Sequence, residues 1–343
     1  MNRYLFLIIQ LFLFFGFIIP AQAAPIPTLD NTAKHRPLSL STSSAPVDNG
    51  LARVVTLGSR GNITGVKDRV GSSRSNHKAT RLGSIHKKIT SKTVMILDAD
   101  TGETIFAKAP DTPRQPASTI KVLTGMIAIK SLKKNELVGV TRHAQRMPRS
   151  KIYLDTKKKY KADDLINAVL LASANDASVA LAEKIAGNER DFAAMMTLRA
   201  KLWGAKKTIC RTANGLTAKG QQTTARDLAR IFRHAMQDQN FAKRMKRTKI
   251  QTSYGTTLRS HNKALWRVKG ALGGKTGYTN AARQTYVGKF ERGEDSIVVA
   301  IMGSETMWTD IKRLVEYGFK KKAQIKLAKL AKTETTLASN KVY

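Results

Sequence analysis

The sequence predicts a mixed α/β domain of the α+β type: an antiparallel sheet built from both ends of the domain, helices packed on it, and an all-helical insertion between its two halves. Three observations predict it. A hairpin pattern starts at Thr93, a long block with helical periodicity follows, and two strand-like runs with a closing helix return near the end. In the hairpin, "TVMILDADTGETIFAKA" places a turn at Asp98 to Gly102 between two apolar runs. "STIKVLTGMIAIKSL" reads as the first helix, with Pro116 just ahead of it and Ser118 as a capping residue type. "YKADDLINAVLLASAN" is the second, its N-terminus favoured by Asp163 and Asp164. "DASVALAEKIAG" is the third, closed by Gly187, and "ERDFAAMMTLRAKLWG" the fourth, closed by Gly204. "TTARDLARIFRHAMQD" is the fifth, capped by Thr223 or Thr224. The two late strands are "RQTYVGKF" and "SIVVAIMG", and the last helix spans about Trp308 to Phe319. A cleft between sheet and helices is the natural place for a site.

Around this domain, set at 89–322, the composition changes. The chain of 343 residues opens with Arg3, an apolar run from Tyr4 to Pro20 and then Ala21-Gln22-Ala23, the pattern of a secretory signal peptide over 1–23 cut after Ala23. An uncleaved anchor is the alternative, since the run approaches a bilayer-spanning length. Residues 24–88 are rich in Ser, Thr, Gly, Asn, Arg and Pro without periodicity, and read as a disordered basic linker. In "KKKAQIKLAKLAK", which leads into a basic tail at 323–343, Ala323, Leu327 and Leu330 recur at helical spacing among lysines. That stretch is either a solvated extension of the last helix or an amphipathic segment for an anionic membrane surface.

The formal net charge is +36, from 60 Lys and Arg against 24 Asp and Glu, which points to an anionic partner. Export, to the periplasm or cell envelope, removes nucleic acid from the candidates and leaves anionic envelope material. Cys210 is the single cysteine, so no disulfide framework exists and the core stands by burial. The six histidines include no H-E-x-x-H pairing, so no metal is expected, and no cofactor.

Ser118 and Lys121 stand three positions apart, a spacing that shares one helix face. A serine hydroxyl is a poor nucleophile until a base takes its proton, and lysine is such a base only when neutral. Working near neutrality needs a drop of roughly 3 pKa units from about 10.4, on the order of 4 kcal/mol. Burial and a second cation both push that way. Alone, S-x-x-K is weak, because a helix cap followed by a solvated lysine looks the same. Two further motifs follow in order: Ser173-Ala174-Asn175 at a helix junction, and Lys275-Thr276-Gly277 leading into a strand. Singly they read as an N-cap and a Gly-rich turn. As an ordered set they are the combination associated with penicillin-binding proteins and class A β-lactamases.

With "ILDADTGETIFAKAPDTPRQPASTIKVLTGMIAI", "LLASANDASVALAE", "TANGL", "TTARDLARI" and "GGKTGYTNAA", the chain resembles the D-alanyl-D-alanine carboxypeptidase family over about Thr93 to Phe319. These are the low-molecular-weight serine penicillin-binding proteins, with a serine β-lactamase-like fold. The resemblance implies a serine carboxypeptidase of peptidoglycan biosynthesis that acts on stem peptides and is inhibited covalently by β-lactams. It implies Ser118 as nucleophile and Lys121 as general base. Ser173 relays a proton towards the leaving amine, and Asn175 orients the substrate amide and the base. Lys275 keeps Lys121 neutral and, with Thr276, holds the substrate's terminal carboxylate. Gly277 lets the substrate backbone lie close to the strand, and the N–H groups of Ser118 and Tyr278 form the oxyanion hole. The chain departs from the family at Ala174, where glycine is frequent, and at Tyr278, where histidine is common. Alternatives are a D,D-endopeptidase cutting crosslinks, a class A-like β-lactamase, and a non-catalytic peptidoglycan-binding protein. The β-lactamase reading lacks an E-x-x-L-N motif between Asn175 and Lys275.

Overall fold

A computed structural model describes residues 85–339. The expected signal peptide and all but the last four residues of the expected linker lie outside the described residues. Those last four, Ile85–Lys88, form a 3-10 turn with Ile85 buried. Strands β1 (Thr93–Asp98) and β2 (Thr104–Lys108) then make the expected hairpin. Its turn forms where the Asp98 carboxylate accepts hydrogen bonds from the backbone N–H groups of Asp100 and Thr101. A second 3-10 turn, Ala117–Ile120, runs directly into α1 (Lys121–Ser131).

The inserted block follows as β3 (Leu137–Val138), α2 (Arg142–Gln145), β4 (Tyr160–Lys161), α3 (Ala162–Leu170), α4 (Asn175–Ala186) and α5 (Glu189–Leu202). It continues through α6 (Ala225–Ala235), α7 (Gln239–Met245), β5 (Lys249–Gln251), β6 (Thr257–Arg259) and α8 (Ala264–Arg267). The block is therefore not all-helical. β3 pairs with β4, and β5 with β6, as short antiparallel ribbons of two or three residues a strand. Runs that short carry too little alternation to read from sequence. Two of the expected caps are in place: Thr224 accepts from the Asp227 N–H at 3.1 Å, and Gly187 closes α4 at φ 78°.

Three strands return, β7 (Ala271–Thr279), β8 (Arg283–Arg292) and β9 (Asp295–Ser304), followed by α9 (Met307–Ser339). The sheet order is β2-β1-β9-β8-β7, antiparallel throughout, so both ends of the domain do build it. β7, which holds Lys275-Thr276-Gly277 within it, was not legible as a strand because its glycines leave no alternating apolar pattern.

Each central strand is buried on both faces. Met95, Leu97, Val298 and Ala300 face the helical block, while Val94, Ile96, Ile297 and Val299 face α9. This double burial explains the unbroken apolar run of β9. Gly318 allows the close docking of α9, since a Cβ there would lie 2.8 Å from Ile297 Cδ1. The last helix does not stop near Phe319 but continues through the basic stretch. Lys322 pairs with Asp98 at 2.9 Å and Lys329 with Glu103 at 2.7 Å, and alanine- and lysine-rich sequence favours helix between and beyond them. Among the described residues no helix is long and apolar enough to cross a membrane.

Candidate active site

Ser118 sits inside the 3-10 turn and does not cap a helix. Its neighbour Thr119 donates to the Pro116 carbonyl at 2.6 Å instead, and no side chain caps α1. The tighter turn leaves the Ser118 hydroxyl facing a cleft of about 440 Å³, with Lys121 one turn behind it. Lys121 Nζ lies 2.8 Å from Ser118 Oγ, 2.7 Å from Asn175 Oδ1 and 2.6 Å from the Asn214 carbonyl oxygen. The last two partners only accept. A neutral amine therefore spends both hydrogens on them and turns its lone pair to the serine hydroxyl. Lys121 is fully buried, and burial first, then the charge of Lys275, hold its pKa well below the ordinary lysine value. Asp176 and Glu189 pull the other way without winning.

Ser173 occupies the link between α3 and α4 at φ 59°, a left-handed conformation that costs a non-glycine residue about 1 kcal/mol or more. That conformation directs its hydroxyl to Lys275 Nζ at 2.8 Å. Lys275 is also buried, and desolvation brings its pKa down to about 7. Asn175 opens α4, and its side-chain N–H₂ donates to the Pro148 carbonyl at 2.9 Å, which settles its Oδ1 on Lys121. Thr276 lines the cleft, and Tyr278 stands exposed beside it with its hydroxyl on Asn280 at 3.1 Å.

Gly277 also serves the chain itself: a Cβ there would lie 2.5 Å from Thr285 Oγ1, 2.8 Å from Ser118 N and 3.0 Å from Ala117 Cβ, so the glycine makes room for the nucleophile turn. Residues 118 and 278, whose N–H groups are the expected oxyanion donors, line the same cleft. All eight residues expected from the sequence thus converge on one region, although the motifs carrying them are up to 102 positions apart in the hydrogen bonds they make.

Several residues at the site were not singled out beforehand. Asn214 supplies the backbone acceptor for Lys121, and its loop is held by Glu189, which accepts from the Ala213 N–H at 2.8 Å. The "TANGL" stretch was visible, but nothing in it says that a carbonyl does the work. His261 lines the cleft with part of its surface exposed, and partial desolvation of the ring, then the charges of Lys275 and Lys121, lower its pKa. Arg149, Ser150 and Trp308 also line the cleft. A second, larger cleft of about 680 Å³ lies against α9 and is lined by none of the eight residues expected from the sequence.

A family model described as D-alanyl-D-alanine carboxypeptidase matches residues 78–306. The chain is 34% identical over 239 residues to D-alanyl-D-alanine carboxypeptidase DacB2 of Mycobacterium tuberculosis, across 66% of this chain and 82% of that one. It is 27% identical over 269 residues to DacF of Bacillus subtilis, across 73% and 67%. The crystal structure of a D-alanyl-D-alanine carboxypeptidase from Mycobacterium tuberculosis H37Rv superposes with a TM-score of 0.65 at 32% identity, over 67% of this chain and 91% of that one. Penicillin-binding protein D2 of Listeria monocytogenes, in its ampicillin-bound form, does so with a TM-score of 0.62 at 25% identity, over 67% and 98%.

Proposed function

The chain belongs to the D-alanyl-D-alanine carboxypeptidase family, and from that premise we propose that it trims peptidoglycan stem peptides through an acyl-serine intermediate. The observation that carries the reading is the contact of 2.8 Å between Ser118 Oγ and a fully buried Lys121 amine. Ser118 Oγ attacks the carbonyl of the penultimate D-alanine while its proton passes to Lys121 Nζ. The developing oxyanion is held by the N–H groups of Ser118 and Tyr278. The peptide C–N bond then breaks, and the leaving amine of the terminal D-alanine receives a proton along the Ser173 and Lys275 side of the cleft. Lys275 and Thr276 hold the terminal carboxylate, and Asn175 orients the substrate amide. Water, activated by Lys121, hydrolyses the ester and frees Ser118.

A β-lactam presents a strained amide and a carboxylate to the same groups, and acylates Ser118 in place of the peptide. Ampicillin is bound in the Listeria relative. Export to the cell envelope places the enzyme beside its substrate and accords with the signal-peptide pattern at the N-terminus. The basic outer part of α9, where Leu327 and Leu330 are exposed among lysines, suits an anionic membrane surface, which cosedimentation with anionic against neutral vesicles tests.

The deciding experiment is intact mass after exposure to penicillin, with D-alanine release from a pentapeptide measured alongside. The expected outcome is a long-lived adduct and released D-alanine, both absent from Ser118→Ala. Rapid loss of penicillin without a lasting adduct would replace the carboxypeptidase with a β-lactamase, and no reaction would leave a binding protein. Cleavage of a crosslinked dimer in preference to the pentapeptide would make it an endopeptidase.

A further inference from the structure

The larger cleft adjoins the reacting one, because Trp308 lines both. Its floor is apolar, made by Ile85, Val268 and Trp308, and the indole is fixed by edge-on packing against Tyr286 at 6.1 Å between centroids. Its rim carries four cations: Lys88, Arg267, Lys312 and Arg313. One carboxylate, Glu316, is also present, but Arg292 from outside the cleft already binds it, with one contact of 2.8 Å. Among the described residues the side chains of Lys88 and Arg267 make no hydrogen bond or ion pair. Arg313 donates to the Lys88 carbonyl and so ties two sides of the rim together. Like charges gathered over an apolar floor repel one another and raise the local potential, and an anionic ligand relieves both.

We propose that this cleft is a second subsite for an acidic peptide segment of the polymeric substrate whose D-alanyl end lies at Ser118. The proposal rests on the carboxypeptidase reading and deepens it, by giving the enzyme a hold on substrate away from the reacting bond. Two features argue for this occupant. The chain's own preceding segment, residues 24–84, carries nine Lys and Arg against three Asp and Glu, and has the wrong sign to settle on a cationic rim. An apolar floor beside cations matches a peptide, which offers carboxylates together with aliphatic side chains. Trp308 then serves as the shared wall along which one substrate reaches both clefts.

The test uses the full-length protein with Arg267→Glu and Lys312→Glu combined, both side chains being exposed and outside the reacting cleft. Two substrates are compared: whole sacculi bearing pentapeptides, and a diacetylated Lys-D-Ala-D-Ala tripeptide whose one carboxylate is its own terminus. The expected result is about a tenfold loss of kcat/KM on sacculi, carried by KM, with tripeptide turnover unchanged. A control variant, Lys157→Glu with Lys158→Glu, reverses the same charge on a different face. Unchanged kinetics on sacculi would overturn the proposal, as would an equal loss on both substrates or an equal loss in the control. Failure of the underlying reading shows separately, as wild-type protein that neither cleaves the tripeptide nor is acylated by penicillin at Ser118.

Discussion

A neutral lysine has two hydrogens, and at Lys121 the Asn175 side chain and the Asn214 carbonyl take both. Lys275 Nζ meets the Ser173 hydroxyl and the Thr276 carbonyl, and its charge is one of the two causes that hold Lys121 below the ordinary lysine value. Free enzyme binds the substrate carboxylate while Lys275 is protonated, so kcat/KM is expected to fall as pH rises through about 7. A bound carboxylate favours the ammonium and moves that limb upward, so kcat persists to higher pH. Coincident limbs in the two pH profiles would remove Lys275 from carboxylate binding. Gly277 yields a second prediction. In Gly277→Ala the new methyl meets Thr285 Oγ1 and the Ser118 backbone, and displacing that turn by even an ångström should slow acylation by penicillin roughly 100-fold. Stopped-flow acylation at matched thermal stability checks it, and an unchanged rate would show that the turn moves without consequence.

At the level of elements, the domain is closed by a carboxylate no motif announces. Asp310, in the first turn of α9, is fully buried and accepts from Ser91 Oγ at 2.6 Å, Ser91 N at 2.8 Å and Ser304 Oγ at 2.8 Å. It thereby ties the entry to β1, the end of β9 and the start of α9 into one corner. Burial alone would raise its pKa, but these hydrogen bonds, with those from Thr90, outweigh burial and hold it below the ordinary carboxylate value. A carboxylate depressed on folding contributes stability that is complete above its unfolded pKa of about 4 and is lost as pH falls through the folded value. Asp310→Ala should cost about 3 kcal/mol in urea unfolding at neutral pH, with the gap to wild type shrinking in acid. A loss below about 0.5 kcal/mol would mean that water replaces the carboxylate there. The early helices were readable because their caps and apolar spacing are local, as at Thr224 and Gly187. β7 was not, because an edge strand rich in glycine is specified by the register of β8 beside it and has no pattern of its own. The extent of α9 was missed for a related reason, since Asp98 and Glu103, far upstream, receive its lysines.

Across the whole molecule the charge of +36 is a long-range property that no single contact explains. It should draw the protein to a polymer bearing carboxylates, and salt screens such attraction with a Debye length of about 10 Å at 0.1 M. Binding of Ser118→Ala protein to sacculi is therefore expected to weaken steeply between low and high salt. Affinity insensitive to ionic strength would show that the charge does not act in this way. By itself, the sequence determined the residue types, their order and the antiparallel sheet drawn from both ends. Those follow from side-chain chemistry and from periodicities that act within a few residues. Only the tertiary structure decided that Lys121 is dry, that the Asn214 carbonyl receives one of its hydrogens, and that Gly277 yields space to Ser118. It alone placed a cationic cleft on the far side of Trp308. Desolvation and backbone acceptors arise where segments distant in the chain are packed together, and no local pattern of side chains encodes them.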